Sequence, residues 1–163
     1  MNATSSLENS TDKAPGNTNK RFLVPVDFSE DAKEILKYAM TSASRLDAVV
    51  VLLHVIQLNI QGEERGIPRG HLIRNLSASA KKNLCKLVAL LWNEEVITTI
   101  TIREGRIDEE IVREAVDSTA DMIIIGSRHR DNRWRFWKGN TAARVLRKAP
   151  CPVLVVPLGR NGA

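Results

Sequence analysis

MIIIGSRHRDNRWRFWKGNTAARVLRKAPCPVLVV, Met122 to Val156, holds a strand, a loop, a helix and a second strand in succession. It opens on an unbroken apolar run ending at Gly126, the pattern of a strand buried on both faces rather than one alternating between core and water. The loop that follows carries Arg128, Arg130, Arg133, Arg135 and Lys138. Gly139 leads into TAARVLRKA, which reads as a helix, and CPVLVVPL closes as another strand. A buried strand, a long basic loop and a helix start together predict an anion site. Backbone N–H groups at the helix mouth and the cationic side chains both favour negative charge there.

The rest of the chain repeats the strand–helix theme. FLVPV (Phe22 to Val26) and AVVVLLHV (Ala48 to Val55) read as strands, as does the Thr-rich run from Ile97 to Arg103. Pro25, inside the first of them, argues by itself for an edge position, because proline gives no hydrogen bond to a ladder. Ser29, Glu30 and Asp31 open a helix with a capping hydroxyl and early acids, and Ala32, Ile35, Leu36, Ala39, Met40 and Ala43 give it an apolar stripe. A polar, glycine-punctuated loop spans Gln57 to Gly70. A long helix is expected from His71 to Glu94, with the stripe Leu72, Ile73, Leu76, Ala80, Leu84, Leu87 and Leu91. Ile107, Ile111, Val112 and Ala115 mark one more helix beyond Gly105. Strict alternation of strands and helices predicts an α/β fold: one parallel sheet, helices on both faces, right-handed crossovers. There is no internal repeat.

At 163 residues the chain is most simply one domain, with 43% hydrophobic and 26% charged residues as in ordinary globular proteins. Residues 1–20 hold few apolar groups and read as a disordered tail; the domain is expected over 21–158, with a short tail at 159–163. No apolar run approaches the ~20 residues of a membrane helix, so no membrane span is expected. The polar N-terminus has no signal-peptide core, and Cys85 and Cys151 form neither a disulfide framework nor a metal spacing, so a cytoplasmic setting is expected. The net charge of +5 is concentrated: between Arg128 and Lys148 the basic residues face one acid, Asp131. That suits an anionic partner, although such clusters are also ordinary solvated surface.

Three elements, VPVDFSE, IIIGSR and APCPVLVVP, resemble the universal stress protein family across residues 21–158. The family's signature in the last third is G-x-x-G, nine residues, then G-[ST]. Here Gly126 and Gly139 fall on schedule, but His129 stands at the second glycine and Asn140 at the final hydroxyl position. The resemblance implies a Rossmann-like sheet of the adenine nucleotide alpha hydrolase type, strand order 3-2-1-4-5, with strand one central despite Pro25. Ligands should then bind beyond the ends of strands one and four, where the order reverses.

It also implies a site for ATP or another adenine nucleotide, with any Mg2+ carried by the phosphates. Asp27 would meet the adenosine end, beside Val26, and the backbone of Val55 would face the base. Gly126, Ser127, Arg128 and His129 on one side, and Gly139, Asn140 and Thr141 on the other, would cradle phosphates. Helix capping shared with Ser29 is an equally simple role for Asp27, and a turn or helix start for the glycines. In a left-handed conformation His129 would cost roughly 1–2 kcal/mol relative to glycine, while the Asn140 amide can still donate. The site is therefore partly degenerate. The closing strand should lie at a sheet edge, and the family resemblance implies a homodimer through Val153, Leu154, Val155 and Val156.

The function expected is a stress-response regulator working through an adenine nucleotide and an unidentified protein partner. The alternative is a family member without nucleotide that works as an interaction scaffold. No catalytic constellation is present; at most a slow ATP hydrolase fits. The WRFW segment, Trp134 to Trp137, is read as a loop anchor against its own domain or a dimer partner, and nucleic acid is not the expected ligand. His54 is read as a satisfied core histidine. His71 begins a helix, and no histidines have metal-ligand spacing.

Overall fold

The computed structural model describes residues 20–58, 68–91, 96–128 and 141–158. Along them run β1 (Lys20–Pro25), α1 (Ala32–Leu46), β2 (Ala48–Ile56), α2 (Arg69–Leu90), β3 (Thr98–Glu104), α3 (Ile107–Asp117), β4 (Met122–Arg128), α4 (Thr141–Lys148) and β5 (Val153–Leu158). All strand pairings are parallel and the order is β3-β2-β1-β4-β5. This is the expected α/β architecture. Of the expected tail at 1–20 only Lys20 is described, as the first residue of β1; the rest of it, the tail at 159–163 and most of the basic loop lie outside the described residues.

Alternate residues of a strand face opposite sides of the sheet, and here both sides are covered, which is why the central strands are apolar throughout. Val50 and Leu52 pack with Phe22, Val24 and Ile124 under α1 and α2. Val51 and Leu53 pack with Leu23, Ile123 and Ile125 under α3 and α4. The stripe read on α1 is buried at every position, from Ala32 to Ala43.

β1 lies between β2 and β4, the central place that the resemblance implies and that the local rule for Pro25 alone does not. The sheet tolerates the proline because Pro25 is the last residue of β1, and strand pairing with β4 is confined to Phe22↔Met122 and Leu23↔Ile123. Two expectations need correction. First, α1 begins at Ala32, because the Ser29 N–H and hydroxyl turn back onto the Asp27 carboxylate and do not cap the helix. Second, α2 starts earlier than expected, at Arg69, and its stripe is deeply buried only from Ala80 on; Leu76 is 38% exposed. At 1.5 Å per residue α2 is about 33 Å long against about 23 Å for β3, so the helix outruns the sheet beneath it.

The β3–α3 turn needs its glycine. Gly105 has φ +148° while its N–H donates to the Ile56 carbonyl at 3.1 Å, a backbone conformation that side chains disfavour.

Candidate functional site

The carboxyl ends of β1, β2 and β4 enclose a cavity of about 270 Å³. Its position follows from Pro25. Val26 donates its N–H to the Leu53 carbonyl at 2.9 Å, on the β2 side. Successive residues of a strand address opposite neighbours, so the Pro25 nitrogen faces β4, where it has no hydrogen to offer. The ladder between β1 and β4 has already ended at Leu23, and the two strands part. The cavity lies in that gap, at the point where the strand order reverses.

The floor is apolar, formed by Ile35, Leu53, Ile107, Ile111, Ile125 and Leu158. Polar groups stand around it: Asp27, Ser29, His54 and Thr141. Of the residues proposed from sequence, Val26, Asp27, Val55, Gly126 and Thr141 are brought together in the wall. Ser127 and Arg128 finish β4, paired with Pro157 and Leu158. His129, Gly139 and Asn140 lie outside the described residues.

Asp27 Oδ1 accepts the Ser29 N–H at 3.1 Å and also the Ser29 hydroxyl. This local turn fixes the carboxylate at the rim without exhausting it, since a carboxylate offers about four acceptor sites. Ala32, Ile107 and Thr141, at the amino ends of α1, α3 and α4, all line the cavity. Three positive helix-dipole ends therefore converge on one space. Asp108, Glu109 and Glu110 in the first turn of α3 offset one of them.

His54 is the residue the sequence reading misplaced. It is partly exposed and lines the cavity, with Nδ1 3.0 Å from the Val26 carbonyl oxygen and its ring 4.3 Å from that of Phe28. A carbonyl only accepts, so the Nδ1–H donates to Val26 and fixes the ring, leaving its Nε2 edge as the other polar group. The signal available in the sequence was position: a lone polar residue near the end of a strand that finishes at the switch point.

Gly126 has a packing reason beside the one expected. A Cβ added there would lie 2.1 Å from Ile35 Cδ1 and 2.5 Å from Leu158 Cδ1. Its missing side chain makes room for core groups of α1 and β5, and its backbone forms the cavity wall.

Also missed were the buried acids of α3. Asp108, Glu110 and Glu114 are 2%, 6% and 5% exposed. Arg103 on β3 reaches Glu110, Glu114 and Asp117. Burial alone would lower the Arg103 pKa, but its hydrogen bonds to Glu114 and Asp117 hold it above its ordinary value. Arg103 comes from β3, and Arg144 and Lys148 from α4, so no pattern local to α3 announces why its acids are buried. Burial and the charge of Asp121 push the Cys151 thiol up, against a hydrogen bond with the Ile123 backbone. Among the described residues no group of three or more His, Cys, Asp or Glu could hold a metal ion, and no helix is long and apolar enough to cross a membrane.

β5 lies at the sheet edge beyond β4, and Val153, Leu154, Val155 and Val156 are each only partly buried. Leu154 and Val156 lean on the α1 side, Val153 and Val155 on the α3 side.

The model of the universal stress protein family matches residues 18–157. Universal stress protein MJ0531 of Methanocaldococcus jannaschii is 30% identical over 144 residues, spanning 86% of this chain and 83% of its own. The solved structure of MJ0577, a universal stress protein from the same organism, aligns with a TM-score of 0.68 at 31% identity, over 88% of this chain and 99% of its own. A universal stress protein from Archaeoglobus fulgidus, solved in complex with dAMP, shares the fold with a TM-score of 0.60 at 23% identity, over 85% and 98% of the two chains. With the strand order, the match along nearly the whole domain and relatives of this similarity, the chain belongs to the universal stress protein family.

Proposed function

We propose that this protein binds an adenine nucleotide, ATP or a close relative, in the cavity between β1 and β4, and acts as a cytoplasmic homodimer that regulates the stress response through a protein partner. The observation that carries the reading is the gathering of Val26, Asp27, Val55, Gly126 and Thr141 around one space at the switch point. Its apolar floor suits a flat heterocycle, and its rim offers a carboxylate and an imidazole to the polar groups of a nucleoside. At about 270 Å³ it falls just below the ~300–1,000 Å³ of most small-molecule pockets. That size matches the nucleoside part, with the phosphates directed toward the amino end of α4. The relative solved with dAMP supports the same ligand class. Asp27 and Val55 would hold the adenosine, and Gly126 and Thr141 would adjoin the phosphates. Any Mg2+ would arrive on the phosphates. The partly buried β5 edge supports dimerisation through Val153 to Val156.

Titration calorimetry of nucleotide-stripped protein with magnesium ATP tests the reading: micromolar binding is expected, and no heat at several temperatures overturns it. One observation favours a second reading, a nucleotide-free scaffold: His129 and Asn140 occupy the family's second-glycine and final-hydroxyl positions. An affinity that rises from near zero in the double variant His129→Gly, Asn140→Ser would support that alternative.

A further inference from the structure

The least accessible acid among the described residues is neither in the cavity wall nor explained by it. Asp108, 2% exposed, follows Ile107 at the start of α3. Its Oδ1 lies 3.3 Å from Arg144 Nε and its Oδ2 3.8 Å from Lys148 Nζ, both on α4. Arg106, just before α3, completes the set, with Nη2 3.5 Å from Oδ2. Buried carboxylates persist when paired, and here the pairs bind one helix to another.

Where the tie sits gives it meaning. Arg144 is three residues beyond Thr141, which lines the cavity, so the two share a helix face. Asp108 stands between Ile107 and Ile111, which also line it. The ion pairs thus fasten α4 to α3, one turn from Thr141 on α4 and between the two cavity-lining residues of α3. α4 is short, with Ala142, Ala143 and Val145 as its buried residues. Packing of such small groups is non-directional and leaves sliding and rotation weakly opposed. Ion pairs at both Arg144 and Lys148 oppose both movements.

We propose that Asp108 is a positioning residue for the nucleotide site: it sets the amino end of α4 where phosphates are received, without touching the ligand. This rests on the nucleotide reading above. It makes a prediction opposite in sign to simple electrostatics. Deleting a negative charge near a phosphate site should by itself tighten binding of an anion. Loss of position weakens it instead, and weakens only the phosphate end.

The test compares wild type, Asp108→Asn and Arg144→Gln by calorimetry with magnesium ATP and with adenosine, and by amide hydrogen exchange without ligand. The expected result for Asp108→Asn is a loss of about tenfold for ATP, with adenosine unchanged to within about twofold. Exchange should quicken in α4 and stay as it was in α1. Arg144→Gln should quicken exchange in α4 likewise, so the tie is tested even if one variant fails to fold. ATP affinity unchanged or raised in Asp108→Asn, or equal losses for both ligands, overturns the proposal. Unchanged exchange in α4 also overturns it. A wild type that binds neither ligand removes the nucleotide reading and this role with it; a wild type that binds both while the variants match it removes this role alone.

Discussion

The two faces of the sheet are covered by different means. On one, α1 buries Ala32, Ile35, Leu36, Ala39, Met40 and Ala43, a stripe with no polar member. On the other, α3 buries Asp108, Glu110 and Glu114 beside Ile111 and Ala115. Apolar contact is roughly proportional to area and indifferent to orientation. Ion pairs fix distance and angle but return little net stability, because desolvation offsets much of the attraction. The α1 face therefore supplies cohesion, and the α3 face supplies register.

That contrast can be broken most forcefully on the apolar side. Leu36→Ala, at a site with no exposure, should cost about 3 kcal/mol in urea denaturation, insensitive to salt. Gly126→Ala comes next, at about 2 kcal/mol, because the new methyl collides with Ile35 Cδ1 and Leu158 Cδ1. Ile35→Val removes the first of those two atoms, so the double variant should be more stable than the sum of the single effects requires. Strict additivity would show that Gly126 is not there for core packing. The smallest effect belongs to the ionic side. Glu114→Gln should cost about 1–2 kcal/mol, less than a fully buried pair, since the Arg103 side chain keeps 22% exposure and still meets Asp117. A loss as large as that of Leu36→Ala would erase the distinction between the faces.

The same contrast explains what could be read in advance. AVVVLLHV and MIII are visible as strands because both their faces are covered, and the α1 stripe is visible because a single physical force acts along it. The acids of α3 look like a solvated helix face in sequence. Arg103 answers Glu114, and Arg144 answers Asp108 across the intervening chain, pairings that periodicity cannot reveal. Pro25 alone points to an edge, which the family resemblance overrules: its local rule holds, yet the missing hydrogen bond falls where the sheet itself opens. At the site, Asp27, Gly126 and Thr141 were legible from position after a strand or before a helix. His54 is hidden because the apolar pattern of its strand gives no sign that the far end opens on a cavity.

The short ladder between β1 and β4 has a consequence for how the molecule holds together in time. β1, β2 and β3 come from residues 20–104 and form one side of the sheet; β4 and β5 come from residues 122–158 and form the other. The backbone join between these sequence-contiguous pieces is short: Phe22↔Met122, Leu23↔Ile123 and the Asp121 N–H to Arg21 carbonyl bond before them, with side chains of α1 and α3 laid across it. Such a boundary is where a chain divides into separately opening cooperative units. The cavity sits on that boundary. An occupant that touches both pieces would raise the free energy of the partial opening as well as fill a hole, coupling occupancy to whether the molecule unfolds in one step or two.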